Sequence, residues 1–184
     1  MAAPLLIVIQ GAPGVGKTTI LEKLRHDFTM PMLGKDEIKE FLFDTIPQSD
    51  REFSRLQGGV SFDMLYVFAR AFLGAGQPVI IEGAFMTKFA SDAIQKILDD
   101  TGAQYLEIFC YVDETVRQER FRARSESGNR HAAHMDGAAT ELPRDSHPYM
   151  ALNLGDRIDV DASEPLGGVY AQIVNEIKQR LTTG

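Results

Sequence analysis

Residues 11–18 read Gly-Ala-Pro-Gly-Val-Gly-Lys-Thr, and they constrain the fold more tightly than any other stretch of the chain. The spacing Gly-x-x-x-x-Gly-Lys-Thr carries meaning only between a buried strand and a helix. Both neighbours are legible. Leu5-Leu6-Ile7-Val8-Ile9 is a continuous apolar run, as in a parallel strand covered on both faces. Ile20, Leu21 and Leu24 then recur at helical spacing. Gly11, Gly14 and Gly16 allow a tight turn whose backbone N–H groups converge on phosphate oxygens, and the helix adds the positive end of its dipole. In such a cradle Lys17 reaches the β- and γ-phosphates of a nucleoside triphosphate, and the Thr18 hydroxyl ligates Mg2+. Ala12, Pro13 and Val15 complete the loop, and Thr19 begins the helix in a supporting role. A glycine turn without a ligand is the plainer alternative, but such a turn does not call for a Gly-Lys-Thr ending.

The rest of the chain repeats the strand-then-helix pattern. Strands are expected at Met30–Leu33, Val79–Glu82, Tyr105–Val112 and Arg157–Val160. Helices are expected at Glu37–Thr45, Phe53–Leu73, Lys88–Asp100, Glu114–Glu126 and Val169–Leu181. In the second of these, Leu56, Val60, Met64, Val67 and Ala71 recur near helical spacing, and Gly58-Gly59 weakens the first half. The alternation predicts an α/β domain with a mainly parallel sheet and helices on both faces. A length of 184 residues suits one domain, here the whole of 1–184.

Composition narrows the setting. The net charge of −7 argues against a broad nucleic-acid surface, although Arg117, Arg120, Arg122, Arg124 and Arg130 form a local basic cluster. No apolar run approaches the roughly 20 residues that a bilayer requires, and no leader-like pattern opens the sequence. The lone Cys110 sits among apolar neighbours as a core thiol. These features lead us to expect a cytoplasmic protein without a membrane partner.

A phosphate loop alone serves switch GTPases, motors and kinases alike. No strand is followed by a guanine-reading Asn-Lys-x-Asp segment, and Val79–Ile81 ends in Glu82-Gly83 without a second acid. What remains resembles the small P-loop kinases, specifically the zeta-toxin-like and chloramphenicol-phosphotransferase-like group. The resemblance spans nearly the whole chain. It rests on Gly11–Thr18, on Lys35-Asp36 at a strand end, on Val79–Gly83, and on the arginine-rich helix followed by Arg130-His131-x-x-His134. It implies a P-loop NTPase fold, a three-layer α/β/α sandwich whose five parallel strands run in the order 2-3-1-4-5. It also implies a mobile helical lid, about residues 114–150, and transfer of the ATP γ-phosphoryl to a hydroxyl.

Several residues take roles in that chemistry. Asp36, at the carboxyl edge of the sheet, is the candidate general base, against the plainer reading of a helix N-cap. Lys39 stands where many relatives carry an arginine, and it neutralises a phosphate without gripping it bidentately. Glu82 is the candidate for holding a Mg2+-bound water or touching the acceptor, against an exposed strand-terminal acid. Arg117, Arg120 and Arg124 share a helix face, with Arg120 and Arg124 the expected phosphate contacts and Arg130 a further candidate. The alternative for the group is a solvated helix pairing with Glu114, Glu119 and Glu126. His131 and His134 lack the glutamate and spacing of a zinc helix and are read as lid residues, in a polar stretch that runs to Tyr149. Asp159 and Asp161 are placed near an adenine-side loop. The expected acceptor is a small-molecule alcohol, with a polynucleotide 5′-hydroxyl, or a non-catalytic nucleotide-binding role, as alternatives.

Overall fold

β1 (Leu5–Gln10) is buried along its whole length because it lies in the middle of the sheet. The computed structural model describes residues 3–46, 51–127, 131–134 and 149–183. In it β1 pairs in parallel with β3 (Val79–Gly83) on one side and β4 (Gln104–Tyr111) on the other. β2 (Met32–Gly34) and β5 (Asp156–Asp161) form the edges, giving the parallel order β2-β3-β1-β4-β5. Strand alternation sends Leu5, Ile7 and Ile9 to one face and Leu6 and Val8 to the other. The first face packs on α1 (Lys17–Asp27) and α6 (Gly167–Thr183), through Ile20, Leu21, Leu24, Ile173 and Ile177. The second packs on α3 (Arg51–Gly74) and α4 (Thr87–Thr101), through Leu65, Ala69, Leu73, Ala90, Ile94 and Ile97. Burying each such aliphatic side chain contributes about 1.5–3 kcal/mol, so two apolar interfaces on one sheet supply most of the cohesion. Among the described residues no helix is long and apolar enough to cross a membrane.

Three details depart from the pattern read in the sequence. α2 (Lys35–Thr45) begins directly after β2, with Gly34 at its N-cap, so Asp36 lies inside the first turn and does not cap it. The capping work falls to Glu37, whose carboxylate accepts the Gly34 N–H at 2.7 Å. α3 runs unbroken through Gly58-Gly59, but its apolar stripe faces solvent: Val67 is 68% exposed, and Leu56, Val60 and Met64 are exposed too. The buried stripe is Gln57, Ser61, Leu65, Ala69 and Leu73, at intervals of four residues. In α2, likewise, Ile38 is buried while Phe41 is 66% exposed.

Candidate active site

Local sequence builds the phosphate loop. β1 stops at Gln10, and the chain turns through Gly11, Gly14 and Gly16 with φ of +147°, +91° and +94°. A Cβ at Gly11 would overlap the Cys110 carbonyl of β4, so glycine is required there for packing as well as conformation. α1 starts at Lys17, and Thr19 N–H donates to Gly16 O at 3.1 Å. Pro13, Gly14, Gly16, Lys17, Thr18 and Thr19 open onto a cleft of about 450 Å3. Ala12 and Val15 are buried behind them and line a separate cavity of about 400 Å3.

Lys17 Nζ donates to Ala12 O at 3.0 Å and stands 4.0 Å from Glu82 Oε1. Thr18 Oγ1 donates to Glu82 Oε2 at 3.5 Å. Glu82 closes β3 directly beside the loop because Ile9 and Glu82 are register partners. It is buried, not the exposed strand-end acid of the plainer reading. Burial pulls the Lys17 amine below its ordinary range, against the attraction of Glu82. Burial also pushes the Glu82 carboxyl up, against the attraction of Lys17. Cys110, beneath the loop, is pushed by burial up to about 12 and is an inert core thiol.

The far wall of the cleft is α2, which contributes Lys35, Asp36 and the buried Lys39. Asp36 Oδ1 accepts from Lys35 Nζ at 3.2 Å. Burial pushes the Asp36 carboxyl up, but Lys35 and then His134 draw it down, and the net direction is downward. The structure thus brings Lys17, Thr18, Glu82 and Asp36 to one cleft, with Arg120 and Arg124 of α5 (Glu114–Glu126) along its rim. Arg120 Nη2 donates to Ala162 O at 2.7 Å, and Arg124 lies over the Phe121 ring.

Arg117 behaves differently from its two helical neighbours. It is 2% exposed, chelates Glu114 at 2.6 and 2.9 Å, and donates to Pro13 O at 3.3 Å. It braces the phosphate loop from α5 and lines the second cavity, not the cleft. Asp159 also faces that second cavity and pairs with Arg157 at 2.8 Å. Asp161 organises the turn after β5 by accepting from Ser163 N and Oγ at 2.9 and 2.6 Å. A 3₁₀ turn, Ala132–His134, follows α5 and brings His134 into the cleft wall. Arg130 lies outside the described residues, as does most of the expected lid between His134 and Tyr149.

Two buried side chains had no motif to announce them. Gln10 Nε2 donates to Phe85 O at 2.7 Å and Met150 O at 3.1 Å, while its Oε1 accepts from Phe85 N at 2.9 Å. Glu107, in mid-β4, accepts from Leu152 N at 2.8 Å and Asn153 N at 3.3 Å. Together they staple the segment from Met150 to Asn153 against the carboxyl end of β1 and the middle of β4. The signal available in the sequence was a polar residue inside an apolar strand run, which calls for a buried partner.

A family model described as AAA domain matches residues 6–145. Comparison with curated proteins returns no match. Among solved structures, the chain is similar to a presumed kinase from Chloroflexus aurantiacus J-10-fl, at 32% identity and a TM-score of 0.86, covering 97% of this chain and 98% of that one. It is also similar to a gluconokinase from Sinorhizobium meliloti 1021, at 16% identity and a TM-score of 0.55, covering 100% of this chain and 94% of that one. The APS kinase of Mycobacterium tuberculosis, solved with AMPPNP and APS, aligns at 15% identity and a TM-score of 0.59, over 99% of each chain. At those identities the last two establish the shared fold.

Proposed function

The chain belongs to the AAA domain family, and we propose that it works there as a kinase that moves the γ-phosphoryl group of ATP onto a hydroxyl of a small-molecule acceptor. One observation carries this reading: a single cleft has the phosphate loop with Lys17 and Thr18 on one wall and Lys35, Asp36 and Lys39 on the other. A triphosphate tail seated on the loop and an acceptor seated on α2 would meet inside it. Lys35 and Lys39, one helical turn apart, favour an acceptor that carries an anionic group beside its hydroxyl.

The donor set fits Mg2+. Thr18 and Glu82 offer a hydroxyl and a carboxylate 3.5 Å apart, both hard oxygens, and Mg2+ is commonly held by one or two such groups plus waters. These two residues would hold the ion, which when bound offsets charge on the phosphate oxygens. Asp36 takes the acceptor's hydroxyl proton as the acceptor oxygen bonds to the γ-phosphorus. The bond from that phosphorus to the β,γ-bridging oxygen breaks with its electron pair, and ADP leaves. Arg120 and Arg124, on the helix that opens the lid, stabilise the charge spread over the transferring oxygens. Lys17 does so from the loop side.

The test is transfer of label from γ-labelled ATP to a panel of anionic alcohols, including gluconate and APS, and to a 5′-hydroxyl oligonucleotide. Label on a small alcohol, absent with Lys17→Ala, supports the reading. Label on the oligonucleotide favours polynucleotide kinase activity instead. Nucleotide binding without transfer to any acceptor favours a regulator.

A further inference from the structure

α2 carries Asp36, Glu40 and Asp44 at intervals of four residues, which places three carboxylates along one helix face. His131 and the Ala132–His134 turn that follows it lay two imidazoles on that face. His134 Nε2 lies 2.7 Å from Glu40 Oε1 and 4.0 Å from Asp36 Oδ2. His131 Nε2 lies 3.2 Å from Asp44 Oδ1, with its ring edge-on to Phe43. The turn is further held by Ser54 of α3, whose hydroxyl donates to Ala133 O at 3.3 Å, and Ala133 itself is fully buried.

The chemistry of the two pairings differs. Ala133 N–H donates to His131 Nδ1 at 3.2 Å, which leaves the His131 proton on Nε2, toward Asp44. That contact is a docking peg at the end of α2 remote from the cleft. The His134 imidazole is buried and lines the same cleft as Asp36. A carboxylate only accepts, so Nε2 of His134 carries the proton that Glu40 receives. A ring fixed in this way stands nearest Oδ2 of the half-exposed Asp36 carboxylate, while Lys35 donates to Oδ1.

We propose that His134 is a positioning residue for Asp36: docking of the turn on α2 delivers an imidazole, anchored by Glu40, that fixes the carboxylate used as base. The proposal rests on the reading of Asp36 as that base. The orientation of the base is thereby coupled to the docking of the Ala132–His134 turn. Lys35 and Lys39 of α2, Lys17 of α1, Glu82 of β3, and Arg120 and Arg124 of α5 line the same cleft and set the field around this pair.

The first arm of the test is independent of any acceptor. With four histidines in the chain, the His134 ring resonance is assigned by difference against His134→Gln, and its titration is followed in wild type, Glu40→Gln and Asp36→Asn. The midpoint is expected to fall by about one pH unit in Glu40→Gln and by about half that in Asp36→Asn, since each removes a facing carboxylate. An unchanged midpoint in Asp36→Asn overturns the proposal. The second arm follows Mg·ATP hydrolysis and AMPPNP binding. His134→Ala is expected to slow turnover about tenfold and raise its acid limb, with AMPPNP binding retained, while His134→Gln, which still donates to Glu40, recovers part of the rate. An unchanged rate and profile in His134→Ala, beside a reduced rate in Asp36→Asn, overturns the positioning role alone. An unchanged rate in Asp36→Asn overturns the base assignment and the positioning role together.

Discussion

The Lys17 ammonium and the Glu82 carboxylate face each other across 4.0 Å at the junction of the phosphate loop and β3, and both are nearly fully buried. Each is held in a low-dielectric site largely by the other, since burial alone drives both toward their neutral forms. Phosphate oxygens arriving at Lys17 would satisfy a charge that the protein has already desolvated. Function and stability therefore pull on this pair in different directions.

Replacing Lys17 with Met removes the cation that faces Glu82 and leaves the carboxyl buried with only the Thr18 hydroxyl beside it. The Glu82 carboxyl is already raised above its usual value of 4.5, and it rises further in the variant. A carboxyl with a raised folded value favours the native state when protonated, so its contribution is present at low pH and is lost as pH climbs through the folded value. The Tm deficit of Lys17→Met against wild type is expected to grow from about pH 4 to pH 7, and Glu82→Gln in the same background is expected to flatten it. A deficit independent of pH would show that Glu82 does not depend on Lys17.

Glu82→Gln alone tests the metal role. The amide keeps the shape but leaves Lys17 buried without its facing carboxylate, so thermal stability without nucleotide is expected to fall at neutral pH. The gain in ATP affinity on adding Mg2+ is expected to drop about 10-fold or more. Calorimetric titration with ATP and with Mg·ATP reads the difference.

The arginines of α5 are expected to divide by role. Arg124→Ala should slow turnover about 100-fold with little change in Tm, as for loss of a group that acts on developing charge. Arg117→Ala should lower Tm, because Arg117 braces Pro13 and is buried against Glu114. Equal loss of Tm in the two variants would contradict the division.

Glu107 is expected to control the segment after the lid. Glu107→Ala leaves the Leu152 and Asn153 N–H groups without their acceptor, at about 1–3 kcal/mol for a stranded buried donor. Hydrogen exchange at those two amides should accelerate with the fall in stability. Protection unchanged from wild type would mean that other groups hold the loop.

How much of this was legible follows from how local each signal is. The loop at Gly11–Thr18 and the alternation of strands and helices were readable because glycine spacing, strand burial and helix periodicity are written in short windows, whereas the strand order came from the resemblance to small P-loop kinases. Asp36 lines the cleft, but its position in the helix was misread: Glu37, not a residue before the helix, satisfies the Gly34 N–H. The buried face of α3 was missed because Gln57 and Ser61 look like surface residues, and Ser61 is buried by donating to the Gln57 carbonyl. Gln10 and Glu107 join elements far apart in sequence, which no local pattern records. The two histidines were assigned to the lid, but their carboxylate partners on α2 are a product of tertiary docking alone.

The central claim is that Asp36 serves as base in a transfer that starts from ATP on Lys17. It is tested most directly by measuring γ-label transfer to the acceptor panel for wild type, Asp36→Asn and Lys17→Ala, with AMPPNP binding recorded for each. Label should reach an alcohol with wild type. It should fall about 100-fold or more in Asp36→Asn with AMPPNP binding intact, and vanish with nucleotide binding or turnover in Lys17→Ala. Full transfer by Asp36→Asn to the same acceptor would contradict the claim.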